Sequence, residues 1–192
     1  MKFVIEHMDN ELYEWSFLEY RHISEFVGKE SLIFTNIENQ ADSKKLEKYG
    51  TVKKEKISNL IPHKVCVLSQ YAEKILETKD KSHFDFFIFG GILGDNPAKK
   101  RTEDIINSLK AKNIKFEERN LGNVQMPTDV AVYVAKKILE GAKFSELKFI
   151  DKVEIDINDN ECIDLPFRYI VDNHKLIISE QLVEYLKNRE EF

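Results

Sequence analysis

The chain has 192 residues, 42% hydrophobic and 33% charged, which is ordinary for a soluble globular protein long enough to bury a real core. Its 29 basic residues against 34 acidic ones give a net charge of −5, which argues against a surface built to grip long stretches of nucleic-acid phosphate. The apolar runs are too short to span a membrane, acids break up the first of them too soon for a signal peptide, and Cys66 and Cys162 are too far apart to imply a disulfide framework, so the expected home is the cytoplasm.

KFVI (2–5) is a short apolar run and predicts a buried first strand. In NELYEWSFLEYRHISEFVG (10–28), Leu12, Trp15, Leu18, Ile23 and Phe26 recur near helical spacing, and Gly28 sits where a glycine ends a helix. SLIFTN (31–36) predicts a second strand. DSKKLEKYG (42–50) predicts a short helix capped by Asp42, and KVCVLS (64–69) a third strand rich in β-branched residues. A further helix is expected near 71–78. HFDFFIF (83–89) is the fourth strand, RTEDIINSLKAK (101–112) a helix with Thr102 as cap, and NIKFEER (113–119) the fifth strand. TDVAVYVAKKILEG (128–141) has the clearest helical pattern. Val130, Val134, Ile138 and Leu139 share a face, Thr128 or Asp129 caps the start, and Gly141 ends it. Strand-like segments follow, around turns at Asn158-Asp159-Asn160 and Asp172-Asn173, and SEQLVEYLKNRE closes the chain as a helix.

Strands alternating with helices predict one α/β domain over 1–192, a mostly parallel sheet with helices on both faces. Ligands of such sheets bind beyond the carboxyl ends of the strands. One strand there delivers GGILGD (90–95), which has neither the phosphate-loop lysine nor the GxGxxG spacing of a dinucleotide site. Its glycines permit close backbone approach to a ligand or a positive φ, and Asp95 suits a ribose hydroxyl, an ammonium group or a helix cap. In RNLGNVQMPTDVA (119–131), Gly122 permits a turn, while Gln125, Met126 and Pro127 run into a helix start. That is a seat for a neutral ring such as adenine rather than for a triphosphate. A non-catalytic, flavodoxin-like module would use the same crevice, but no phosphate lysine is in place. His7, His22, His63, His83 and His174 are scattered without metal spacing, no nucleophile elbow exists, and Cys66 reads as inert core.

Taken together, VLSQYA (67–72), FGGILGD (89–95) and NLGNVQMPTD (120–129) resemble the three cofactor loops of the SPOUT methyltransferases, which bind S-adenosylmethionine. MKFVIEHM, EWSFLEY, DFFIFGGILGD, QMPTD and LPFRYIVD follow the order of one branch, the SPOUT protein-arginine methyltransferases of fungi and their archaeal relatives. The resemblance runs from Met1 to about Asp172. Residues 38–64 give no match, and Pro127 replaces the hydroxylated residue expected before Thr128. The resemblance implies a SPOUT fold with a C-terminal trefoil knot, and a cofactor, S-adenosylmethionine, that leaves as S-adenosylhomocysteine. It implies cofactor contacts from Leu68, Ser69, Gly90, Gly91, Ile92, Leu93, Gly94, Asp95, Leu121, Gly122, Gln125, Met126 and Thr128. It also implies an arginine of a small-subunit ribosomal protein as substrate. The oligomeric state stays open between monomer and homodimer.

Methyl transfer to arginine brings a sulfonium cation against a guanidinium that effectively never loses its charge, so acids ought to ring the site. Glu6, Glu14, Trp15 and Glu19 are the expected substrate contacts, with Trp15 stacking on the guanidinium plane. Glu19, Asp95 and Asp129 are the expected catalytic acids, the last two nearer the cofactor. Arg101 either clasps the cofactor's carboxylate or merely follows the loop. The basic clusters KKLEKYGTVKKEK (44–56) and AKKR (98–101) keep an alternative open, methylation of rRNA or tRNA, on which most SPOUT relatives act.

Overall fold

A computed structural model describes residues 1–60, 63–92, 100–158 and 161–188. Six strands, β1 (Lys2–His7), β2 (Leu32–Thr35), β3 (Thr51–Val52), β4 (Val65–Leu68), β5 (Phe86–Gly91) and β6 (Phe116–Arg119), make one sheet in the order β3-β2-β1-β5-β4-β6. Every neighbouring pair is parallel, as the strand–helix alternation predicts. The helices are α1 (Glu14–Val27), α2 (Gln40–Leu46), α3 (Asp80–His83), α4 (Thr102–Ala111), α5 (Thr128–Leu139) and α6 (Glu180–Lys187). After α5 the chain adds short strands β7 (Lys148–Ile150), β8 (Val153–Asn158), β9 (Glu161–Leu165), β10 (Tyr169–Asp172) and β11 (Lys175–Leu176). Of these, β11-β10-β7 form an antiparallel sheet and β8-β9 a hairpin. No helix among the described residues is long and apolar enough to cross a membrane.

Side chains alternate between the faces of a strand, and here both faces are buried. Phe3 and Ile5 of β1 and Phe87 and Phe89 of β5 join the larger core with Ile23 of α1, Val134 and Ile138 of α5 and Leu182 of α6. Val4 and Ile88, of opposite parity, pack with Ile105, Ile106 and Leu109 of α4. Each such side chain contributes about 1.5–3 kcal/mol by leaving water.

Several expected details are corrected. No helix forms at 71–78. Ile75 instead bridges Asn120 in parallel, and that asparagine bonds the Lys74 carbonyl (2.8 Å), the Leu76 amide (3.0 Å) and the Ala72 carbonyl (2.8 Å). These tertiary bonds override a weak helical preference. The cap of α2 is Asn39, whose side chain accepts from the Ala41 and Asp42 amides, so Asp42 lies inside the helix. Thr102 does not cap α4. Neither Thr128 nor Asp129 caps α5; Pro127 holds that position. β6 begins at Phe116 because Asn113, at φ 54°, is still turning out of α4. The 158–160 turn lies largely outside the described residues.

Gly91 permits the closest approach in this layer. A Cβ there would sit 2.0 Å from the Tyr20 hydroxyl oxygen and 2.8 Å from Cγ2 of Ile5. Gly91→Ala is therefore expected to cost about 1–3 kcal/mol by overpacking, or about 2–4 °C of Tm per kcal/mol. Adding Tyr20→Phe removes the nearest obstacle and should recover part of the loss. Thermal melts of the single and double variants check this; a double variant no more stable than Gly91→Ala would refute the clash.

Candidate functional site

The carboxyl ends of β4, β5 and β6 open onto one cavity of about 380 Å³, within the range of small-ligand sites. Leu68 and Ser69 enter it from the end of β4, and Phe89, Gly90 and Ile92 from β5 and the loop beyond. The loop from β6 to α5 brings Leu121, Gly122 and Val124 through Thr128, while Trp15 and Glu19 of α1 form the opposite wall.

That loop is held at both ends. Gly122 adopts φ 91°, and its amide donates to Oδ1 of Asn120 at 2.9 Å, giving the sharp turn expected. Gln70 donates to the Asn123 carbonyl at 2.6 Å, and the Arg168 amide donates to the Gln125 carbonyl at 2.9 Å. The second bond draws in the segment carrying Phe167, which also lines the cavity.

Glu19 is 5% exposed. Its Oε1 accepts from Nε1 of Trp15 at 2.8 Å, and Oε2 accepts from the Thr128 amide at 3.3 Å, so a residue of α1 satisfies the first amide of α5. Burial pushes its carboxyl well above the ordinary carboxylate range, and the charge of Asp129 adds to the rise. Asp129 stands behind Thr128, outside the cavity lining. Its Oδ2 meets Nδ1 of His22 at 2.7 Å, and Oδ1 accepts from the Val130 amide at 2.8 Å. The buried Tyr169 hydroxyl completes this patch, its pKa raised by burial and then by Asp129 and Glu19. Raised proton affinity is what burial gives this carboxyl, and a cation entering the cavity would oppose that rise.

The cavity thus gathers Leu68, Ser69, Gly90, Ile92, Leu121, Gly122, Gln125, Met126 and Thr128 with Trp15 and Glu19. Other expected site residues lie elsewhere. Leu93, Gly94 and Asp95 fall outside the described residues. Gly91 does not line the cavity; it faces α1 and packs on Tyr20. Glu6 has the parity of Val4 and points away from α1. It is 3% exposed, and its Oε2 accepts from the Ile57 amide (2.6 Å) and the Thr35 hydroxyl (3.1 Å), so its carboxylate is engaged inside the fold. Glu14 lies exposed at the start of α1 and does not reach the cavity. Arg101 donates to the Met8 carbonyl and pairs with Asp9 at 2.5 Å, away from the cavity lining.

Tyr71, Lys100, Thr102 and Phe167 also line the cavity without having been expected there. The Lys100 ammonium lies 4.7 Å from the Tyr71 ring centre. Phe167, Tyr71 and Lys100 belong to LPFRY, VLSQYA and AKKR, segments already singled out, while Thr102 was expected only as a helix cap.

The chain matches, over residues 2–191, the family described as SFM1-like protein arginine N-methyltransferase. It is 36% identical over 204 residues to protein arginine N-methyltransferase SFM1 of Saccharomyces cerevisiae, covering 97% of this chain and 94% of that protein. The crystal structure of the yeast arginine methyltransferase SFM1 complexed with SAH superposes with a TM-score of 0.87, at 32% identity, over 96% of this chain and 94% of that one. The same protein complexed with SAM gives 0.86, at 33% identity, over 97% and 89%.

Proposed function

We propose, because the chain belongs to the SFM1-like protein arginine N-methyltransferases, that the arginine it methylates lies on a small-subunit ribosomal protein. The enzyme is an S-adenosylmethionine-dependent protein-arginine methyltransferase. The observation that carries the site reading is the placement of one buried carboxyl, Glu19, on the wall of the strand-end cavity.

The residues present fit this cofactor. Leu68, Leu121, Met126 and Ala131 give apolar walls suited to an adenine ring, and Gly90 and Gly122 bring main chain to the cavity wall. When bound, S-adenosylmethionine supplies an electrophilic methyl group on a sulfonium. Glu19 holds the guanidinium with one or both oxygens, and Trp15 presents its ring to the planar cation. Both substrate and product are cations, so one proton must leave as the methyl arrives, and Glu19 is the acceptor in place. Its carboxyl is already held above the ordinary range by burial, which favours that role. Asp129, fixed by His22, sits behind Glu19 as a positioning residue.

The same reading gives the fold as SPOUT with a trefoil knot, supported by three successive strand-end loops converging on one cavity. It puts the enzyme in the cytoplasm, with which two free cysteines are in keeping. Among the described residues of the basic clusters, Lys100 alone reaches the cavity, while 44–56 leaves it untouched; this favours protein over RNA as substrate. The test uses methyl-labelled S-adenosylmethionine, purified enzyme and ribosomes from a strain lacking the gene. Label should survive nuclease and be released by proteolysis as methylarginine from a small-subunit protein. Label lost to nuclease would overturn the reading.

A further inference from the structure

We propose that Tyr169 is a positioning residue for the methyl transfer: its hydroxyl is an uncommitted donor that engages the Glu19 carboxylate when the substrate arginine is bound and holds that group in its ionised form. This rests on Glu19's being the group that grips the arginine and takes its proton.

Tyr169 is fixed firmly. In β10 it lies opposite Ile150 of β7. The residue before it is clamped, because the Arg168 amide donates to the Gln125 carbonyl at 2.9 Å and its guanidinium pairs with both oxygens of Asp151, at 2.5 and 2.9 Å. The Tyr169 side chain is 1% exposed and belongs to the larger core. Its hydroxyl nevertheless has no hydrogen-bond partner among the described residues. A buried hydroxyl in that state is uncommon and destabilising, and phenylalanine would fill the same space without it. Packing therefore accounts for the ring but not for the oxygen.

The charges that bear on this oxygen are those of Asp129 of α5 and Glu19 of α1. Both oxygens of Asp129 are occupied, one by His22 and one by the Val130 amide. Glu19 is less fully held. Its Oε1 accepts from Trp15 at 2.8 Å, but Oε2 meets the Thr128 amide only at 3.3 Å. A carboxylate oxygen has two lone pairs, so Oε2 has room for a second donor.

The reaction supplies the occasion. At rest, burial and the charge of Asp129 favour the proton on Glu19. Once a guanidinium enters, Glu19 must be a carboxylate both to hold it and to accept its proton, and two anionic carboxyls then stand close together. A phenol O–H donates without carrying charge, so it stabilises the ionised form. As the methyl arrives on the nitrogen, that nitrogen's proton passes to Glu19, the carboxyl becomes neutral and the hydroxyl is released.

Tyr169→Phe keeps the ring and deletes the oxygen. Its Tm should equal or exceed that of the wild type, since no hydrogen bond of the resting enzyme is lost. The substrate is the ribosomes from a strain lacking the gene. The acid limb of kcat/KM should move up by about one pH unit, leaving the variant about tenfold slower below the limb and no slower above it. Of the other groups around Glu19, Tyr20 is kept protonated by burial and Lys100 stands on the cavity wall, while His22, behind Asp129, is of a type that titrates in this range. The comparison is therefore repeated with His22→Gln in both enzymes, where the gap between them should persist. In a Glu19→Gln background, Tyr169→Phe should have no effect on rate or profile. Carbon NMR of enzyme labelled at the glutamate δ-carbon reads the carboxyl without turnover, the Glu19 signal being the one missing from Glu19→Gln. Its titration midpoint should rise by about one unit in Tyr169→Phe. A raised midpoint together with turnover that survives Glu19→Gln supports the pairing of hydroxyl and carboxyl, and it is then the base role of Glu19 that fails. An unmoved midpoint, or a Tyr169→Phe enzyme that melts below the wild type, overturns the proposal.

Discussion

Glu19→Gln is expected to lower kcat/KM for arginine methylation by about a hundredfold or more, and its stability relative to the wild type should rise with pH. Removing one partner of a buried charge pair costs about 3–5 kcal/mol, equivalent to roughly 10²–10⁴ in rate. Glutamine also offers one oxygen where glutamate offers two, so either Trp15 or the Thr128 amide loses its acceptor. Stability has its own sign. The Glu19 carboxyl is raised in the folded state by burial and by Asp129. Its contribution is therefore full below the unfolded glutamate pKa of about 4.3 and is lost as pH rises through the higher folded value. Glutamine never ionises and escapes that loss. The Tm of the variant minus that of the wild type should thus grow between pH 5 and pH 8. Single-turnover kinetics and calorimetry at both pH values check the pair of effects. A Tm difference that does not change with pH, or retained turnover, would remove Glu19 from its assigned role.

The second large effect lies outside the cavity. Arg119 is 7% exposed, and its Nε and Nη2 both bond Asp80, each at 3.0 Å, a two-pronged ion pair tying α3 to the end of β6. Asp80→Ala strands the guanidinium, for which Glu117, at 52% exposure, is a weak substitute. We expect a loss of about 3 kcal/mol or more, on the order of 10 °C in Tm. Cofactor affinity should fall too, because Arg119 immediately precedes the loop carrying Leu121 and Gly122. Replacing both Asp80 and Arg119 by leucine should restore most of the stability. A single variant that melts like the wild type would show the pair to be idle.

The elements that could be read from the sequence were those with a strong period or a run of buried residues. β1, β4 and β5 are covered on both faces and so appear as continuous apolar stretches, and α5 has a clear face. The residues at 71–78 misled because Asn120, more than forty positions away, decides their conformation. The cavity was legible where glycines and a loop composition marked it. Glu6 was misplaced for want of handedness: its parity with Val4 is plain in the sequence, but which face of β1 meets α1 is settled only by how the chain crosses over. The contact between His22 and Asp129 joins residues 107 positions apart and has no local signature.

Glu19 satisfies the leading amide of α5 and also fronts the cavity, so under the role proposed for it the two ligands of this enzyme are expected not to bind independently. Whatever grips its carboxylate competes with Thr128 for the same oxygens, and the loop before Thr128 adjusts accordingly. By thermodynamic reciprocity, the factor by which cofactor alters affinity for the arginine peptide equals the factor by which peptide alters affinity for cofactor. On that proposal one carboxyl couples the two binding equilibria.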